Sequence, residues 1–368
     1  VSGVDYLDLA RAAAADEPEL SAAVLAAVSR GRYVLGSEVA AFEAEWASFC
    51  GATRAVGVAN GTDAITLALR ALGVGPGDEV LTVSMTCAPT ATGVLRAGAT
   101  PVFVDVDEDR LTMDPARLAA AVTPRTKAIL PVHLYGRVAD VDAIGAFAKE
   151  RGLLVVEDCA QAHGAAWNGW PVGTFGRAAA WSFYPTKNLG ALGDGGAVSV
   201  TAEADAPVAD RIARLRAYGY ATRNDAEEPG FNSRLDEVQA AALRVRLRKL
   251  AAGNRRRAEL AARYDAAFAG SLRVPPAARP GETPAHHLYV VRVPDREAFR
   301  ARISEEGIGT DVHYPRAVHE QRAFAGLPRG PLPATERAMR EVVSLPLHPL
   351  LTDSEADRVV AAVVASVR

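Results

Sequence analysis

The chain has 368 residues, 49% hydrophobic and 23% charged, the balance of a soluble globular protein with room for one large and one smaller domain. A formal net charge of −3 offers no electrostatic footprint for nucleic acid or an anionic membrane, so neither is expected as a partner. Three scattered cysteines (Cys50, Cys87, Cys159) suit neither a disulfide framework nor a Cys-rich zinc site, no metal is expected, and with no signal-like N-terminus or long apolar run the expected location is the cytoplasm.

In chain order, the first 35 residues read as a short extended lead-in and a helix near Pro18–Arg30. A helix over Ser37–Cys50 follows, which Ser37 could cap. From residue 54 strands and helices alternate. Strands are predicted at Arg54–Val58, Glu79–Ser84, Pro101–Val106, Lys127–Val132 and Leu153–Glu157. Helices are predicted between them at Asp63–Leu72, Pro89–Ala97, Asp114–Ala121 and Asp140–Arg151. This rhythm implies right-handed βαβ crossovers and an α/β fold with a mainly parallel sheet. The strands are continuous apolar runs, as strands covered on both faces are, and such sheets bind ligands at their carboxyl ends.

Beyond Asp158 the pattern changes. Trp167-Asn168-Gly169-Trp170 predicts a tight hairpin. Strands are expected at Ala180–Tyr184 and Gly196–Val200, then a long helix over Leu235–Phe268 with Arg255, Arg256 and Arg257 on a solvated face. A Pro/Gly-rich connection, 275–284, leads to a smaller α/β unit. It comprises strand Leu288–Val293, helix Arg296–Glu306, strand Gly309–His313 and a final helix from Ser354. The expected division is a large domain over 1–250 and a smaller C-terminal domain over 251–368.

Four features fall where such a sheet collects its ligand. Asn60-Gly61-Thr62 opens a helix after a strand, either as a plain cap or as a phosphate site built from free N–H groups. Asp158 follows an apolar strand, where it could keep a ring nitrogen protonated or be a solvated loop acid. Lys187 stands among Thr186, Asn188 and the glycines 190, 193, 195 and 196. A partly buried amine loses proton affinity and attacks an aldehyde more readily, although a lone lysine is usually a surface one. Gly230–Glu237 could cap a helix or add a phosphate ligand. A phosphate cradle, an acid and a lysine 29 positions later make the set that pyridoxal 5′-phosphate (PLP) requires.

The chain also resembles the DegT/DnrJ/EryC1/StrS family of sugar aminotransferases, from Tyr33-Val34-Leu35-Gly36 to Leu345-Pro346-Leu347. The most specific segments are Asn60-Gly61-Thr62-Asp63-Ala64, Glu157-Asp158-Cys159-Ala160-Gln161-Ala162-His163-Gly164, Ser182-Phe183-Tyr184-Pro185-Thr186-Lys187 and Phe231-Asn232-Ser233-Arg234-Leu235-Asp236-Glu237. The resemblance implies a fold type I PLP transferase acting as a homodimer with shared active sites. In that fold Lys187 joins the cofactor aldehyde and shuttles protons. Asp158 pairs with the ring nitrogen, and Gln161 lies near the ring and its phenolic oxygen. Gly61, Thr62 and Ser182 take the phosphate, Asn232 reaches the phosphate of the neighbouring subunit, and His313 and Tyr314 sit near the substrate. Cys87 stands where many relatives place an aromatic residue on the ring, and a thiol covers less of it. Dehydratase members have histidine where this chain has Lys187.

The implied reaction is a ping-pong transfer through Schiff bases, from L-glutamate to a nucleotide-linked keto-6-deoxysugar. A dTDP-linked 3-keto-6-deoxyhexose fits the Asn-Ser-Arg-Leu-Asp-Glu run best, with a 4-keto sugar or a cyclitol ketone as alternatives. From other classes, a PLP-binding regulator without turnover would bind PLP but exchange no amino group. A nucleotide-dependent oxidoreductase would need Gly-x-Gly-x-x-Gly where Asn60-Gly61-Thr62 stands.

Overall fold

A computed structural model describes residues 3–367. Its main sheet has seven strands: β1 (Arg54–Val58), β2 (Glu79–Val83), β3 (Thr100–Val104), β4 (Thr126–Ile129), β5 (Leu154–Asp158), β6 (Ala178–Ser182) and β7 (Gly196–Val200). Across the sheet they run β1-β7-β6-β5-β4-β2-β3, and only β7 is antiparallel to its neighbours. Nearly all strand residues are buried, because helices cover both faces.

The helix Gly61–Ala71 packs Ile65, Leu67 and Leu69 into one core with Val56, Val80 and Val198. Asn60 caps it by accepting from the Asp63 N–H at 2.8 Å. A second core lies around the small C-terminal sheet, in which Tyr289–Arg292 pairs antiparallel with Val342–Leu345. The helices Arg296–Glu305 and Asp353–Ser366 cover it, and the helix Glu237–Phe268 links it to the main sheet. No described helix is long and apolar enough to cross a membrane. The Trp167–Trp170 hairpin forms as expected, with Asn168 and Gly169 both at positive φ.

Four local expectations are corrected. Leu9–Ala15 is helical rather than extended, started by the Asp8 side chain accepting from Arg11 N–H at 2.8 Å. Gly309–His313 is not a strand: only Asp311 bridges to Ser344, and the strand beside Tyr289–Arg292 is Val342–Leu345. Arg257 is not on a solvated face. It is 5% exposed, because the C-terminal unit closes over that side of the long helix.

Ser37 is not the cap of the helix Ser37–Cys50. Glu237, 1% exposed, caps it from afar: its carboxylate accepts from the N–H groups of Gly36, Glu38 and Val39 at 2.9, 3.0 and 2.9 Å. A β-carbon at Gly36 would come within 2.6 Å of this carboxylate, so a larger residue there would displace the cap. Glu237→Gln keeps the shape but turns one acceptor into a donor facing N–H groups. It is expected to destabilise the protein by about 1–3 kcal/mol, read from chemical denaturation; unchanged stability would remove the capping role.

Candidate active site

The site forms where the carboxyl ends of β1, β5 and β6 meet. Ser182, the last residue of β6, is paired with Gly196, and Gly196 also faces Val58 at the end of β1. This brings the Asn60-Gly61 turn against Ser182. A β-carbon on Gly61 would lie 2.6 Å from Ser182 Cβ, and one on Gly196 would lie 2.5 Å from the Asn60 carbonyl oxygen. The glycines thus hold open a cradle bounded by the N-terminus of the helix Gly61–Ala71, Thr62 and the Ser182 hydroxyl. Free N–H groups at a helix start suit a phosphate. Ser233 Oγ accepts from Ala59 N–H at 3.2 Å, so the 230–237 segment passes beside the cradle.

Asp158 is the last residue of β5 rather than a loop residue beyond it, and is 4% exposed. Its Oδ2 accepts from Thr90 Oγ1 at 2.8 Å and its Oδ1 from Ala160 N–H at 3.1 Å. Burial raises its pKa, opposed by these two hydrogen bonds and by Lys187. A buried carboxylate held by two neutral donors is suited to a cation placed beside it.

Lys187 sits on a turn pinned from several sides. Its N–H donates to Tyr184 O at 2.8 Å, and Leu189 N–H donates to His163 Nδ1 at 3.1 Å. Asn188 Nδ2 donates to Ala285 O at 2.9 Å, and Arg246 donates to Gly190 O at 2.8 Å. Burial lowers the pKa of the Lys187 amine, against the opposing pull of Cys87 and Asp158. His163 is pushed down to about 3 by burial, so it stays neutral beneath the turn.

Gln161 has a fixed orientation. Its Oε1 accepts from Tyr135 N–H at 2.7 Å, which leaves Nε2 to donate to the Tyr314 hydroxyl at 2.8 Å. Tyr135 hydroxyl also donates to the His313 carbonyl, and His313 Nδ1 bonds Ser344 Oγ at 2.8 Å. Cys87 is exposed, and its thiol lies near enough to Lys187 and Tyr314 to feel both.

Gly61, Thr62, Ser182, Asp158, Lys187, Gln161, Cys87 and Tyr314 therefore converge, with His313 behind Tyr314. Asn232 does not join them; it is exposed beside a backbone bridge to Ala217. Thr90 and Tyr135 are positioning residues that sequence reasoning missed. The Thr86/Thr90 pair, four apart and bonded at 2.8 Å, was the available signal for the first.

His133, Glu157 and Cys159 bring potential metal-ligand atoms within 4.8 Å of one another, but those of His133 and Glu157 are engaged with each other and with backbone N–H groups. His133 Nε2 bonds Glu157 at 3.0 Å, and its Nδ1 accepts from Ala139 N–H. Glu157 also accepts from the N–H groups of Gly173, Phe175 and Gly176 at 2.8, 2.9 and 2.8 Å. Glu157, with His133 against it, is a buried clamp on the loop that enters β6.

A cradle, a buried acid and a held amine are the donor set for a phosphorylated pyridine aldehyde, and the residues fit that group. The family model described as DegT/DnrJ/EryC1/StrS aminotransferase matches residues 14–364. The chain belongs to this family. Among family proteins, it is 47% identical to a Streptomyces venezuelae "dTDP-3-amino-3,4,6-trideoxy-alpha-D-glucose transaminase", over 98% of this chain and 95% of that one. It is 42% identical to a "Pleiotropic regulatory protein" of Geobacillus stearothermophilus, over 97% and 96%. A crystal structure of S. venezuelae DesV in complex with a ketimine intermediate superposes with a TM-score of 0.96 at 45% identity, covering 100% of this chain and 99% of that one. The fold is therefore that of the family's aminotransferases, as expected from the sequence.

Proposed function

We propose that this protein is a PLP-dependent aminotransferase that moves an amino group from L-glutamate to a nucleotide-linked keto-6-deoxysugar, a dTDP-3-keto-6-deoxyhexose in the first instance. The observation that carries the reading is the placement of Lys187 beside Asp158 at the sheet end that also holds the Gly61/Ser182 cradle. The sugar class is supported by the S. venezuelae relative, whose name specifies an amino group at carbon 3.

When bound, the cofactor supplies the electron sink for cleaving a C–H bond next to nitrogen. The protein does the rest. The N–H groups at Gly61 and Thr62, with the Ser182 hydroxyl, hold the phosphate. Asp158 keeps a proton on the ring nitrogen. Gln161, its amide fixed by Tyr135 N–H and the Tyr314 hydroxyl, would border the phenolic side of the cofactor, and the Cys87 thiol would stand in for a stacking ring. Lys187 Nζ holds the cofactor, then takes a proton from the donor's α-carbon and later returns one to the sugar carbon. His313 and Tyr314 border the substrate. Asn232, exposed on this chain, serves the phosphate of a second copy in a homodimer. The enzyme works in the cytoplasm. The large unit over 1–250 carries the cofactor and the unit over 251–368 closes on the substrate.

The regulatory relative supports a second reading, PLP binding without turnover. One experiment separates the two. PLP-loaded protein is mixed with L-glutamate and its visible spectrum is followed. Conversion to the pyridoxamine form with release of 2-oxoglutarate is expected, and a panel of keto-sugar nucleotides then regenerates PLP with the true acceptor. Bound PLP that no amino donor converts favours the regulator, and absence of PLP binding ends both readings.

A further inference from the structure

Two buried threonines connect in series to Asp158. Thr90 lies in the first turn of the helix Ala88–Ala97 and Thr86 just before that helix, and they are 2% and 3% exposed. Thr90 Oγ1 lies 2.8 Å from Asp158 Oδ2, and Thr86 Oγ1 lies 2.8 Å from Thr90 Oγ1. A hydroxyl has a single proton to give. While Asp158 is a carboxylate, the Thr90 proton goes to it, so the Thr86 proton goes to Thr90. Every donor in the chain is then satisfied, and each link polarises the next.

The chain runs without loss in this direction alone. If Asp158 were a protonated acid donating at Oδ2, Thr90 would have to turn its own proton toward Thr86. The Thr86 proton would then be buried without an acceptor, because Thr90 is the one hydrogen-bond partner of the Thr86 hydroxyl among the described residues. Such an orphaned donor is costly. A proton on Oδ1 instead would weaken the bond that this atom accepts from Ala160 N–H at 3.1 Å. Burial pushes Asp158 toward its neutral form, and the Thr90 bond is the largest pull the other way. Of the other titratable groups near Asp158, Lys187 and His133 favour its charge. The Cys87 and Cys159 thiols and the Tyr314 hydroxyl are pushed up by burial and stay neutral.

We propose that Thr86 and Thr90 are positioning residues that form a one-way donor chain holding Asp158 as a carboxylate, the form that keeps a proton on the cofactor's ring nitrogen. The ring nitrogen rests on the PLP reading; the hydroxyl chain and the charge of Asp158 do not. The first measurement therefore uses the full chain freed of PLP and carrying carboxyl-labelled aspartate. Carbon NMR follows the titration of Asp158, whose signal is assigned by its loss in Asp158→Asn. Thr90→Val keeps the shape and removes the hydroxyl. It is expected to raise the Asp158 midpoint by roughly one to two pH units, a 10- to 100-fold change, the range of a lost hydrogen bond to a charged group. Thr86→Val removes the outer donor and is expected to shift the midpoint the same way by less; it carries the test if Thr90→Val does not fold. Thr90→Ser and Thr86→Ser keep the hydroxyls and are expected to match the wild type. Valine variants that leave the midpoint unmoved, or serine variants that shift it as far as the valine ones, overturn the proposal. The second measurement reloads the protein with PLP labelled at the ring nitrogen. At neutral pH its nitrogen NMR signal is expected to move toward the unprotonated position in Thr90→Val and to stay in Thr90→Ser. A ring nitrogen that does not respond when the Asp158 midpoint has shifted overturns the link to the cofactor. If no form binds PLP, the aminotransferase reading fails, while the carboxyl midpoints still decide the donor chain.

Discussion

Replacing Lys187 with alanine is expected to slow the half-reaction with L-glutamate by at least about 10³-fold, within the range that a positioned acid–base group contributes. The loss follows from position. Among the side chains that converge at the site, Lys187 is the one amine, and the turn that carries it is fastened by His163, Asn188 and Arg246. No neighbour can take over: His163 is neutral with Nδ1 engaged, and the carboxylate of Asp158 is committed to Thr90 and Ala160. The cradle at Gly61 and Ser182 does not depend on Lys187, so the variant should still retain PLP by its phosphate while losing the absorption of the covalently held form. Single-turnover absorbance with added L-glutamate measures the effect. A rate within tenfold of the wild type would assign proton transfer elsewhere. Because burial lowers the Lys187 pKa, its free-amine form extends to lower pH than that of an exposed lysine. PLP should therefore bond covalently to the apoprotein at a pH where surface lysines remain protonated.

Asp158→Asn is the second large effect, expected at about 10²–10³-fold in the same half-reaction, the scale of one removed preorganised electrostatic contact. The substitution keeps the shape and the Thr90 and Ala160 donors but removes the negative charge. A neutral amide cannot hold a proton on the ring nitrogen, so the electron sink weakens while the phosphate grip is untouched. The spectral titration that gives the rate also reports PLP occupancy, which separates a chemical defect from a binding one. Loss of less than about fivefold at full occupancy would rule out this role for Asp158.

The parts of the molecule that the sequence made readable are those whose signal is local. β1 and β7 span the predicted Arg54–Val58 and Gly196–Val200 because each is a continuous apolar run bounded by small or turn-forming residues. Lys187, Asp158 and Gly61 stand out in the sequence because charge and glycine leave their mark on the chain itself. The misses are long-range. Ser37 looks like a cap until Glu237, 198 to 201 residues away, is seen to do the work. Three consecutive arginines look solvated because nothing local announces the C-terminal unit that buries Arg257. Thr90 acts through its hydroxyl and Tyr135 through its backbone N–H, contacts that only the assembled site reveals. Leu9–Ala15 was a local miss, since its alanine run and the Asp8 cap were present to be read.

The Glu237 cap also has a consequence for how the chain is made. The ribosome releases the helix Ser37–Cys50 long before it reaches the residue that completes it. At about 5–20 residues per second, the 201 positions from Gly36 to Glu237 take about 10–40 s to synthesise. For that time the N-terminal helix is a nascent segment with an open end and an apolar face, waiting for a partner not yet translated. Until residue 237 is made, the Gly36, Glu38 and Val39 N–H groups have no capping carboxylate.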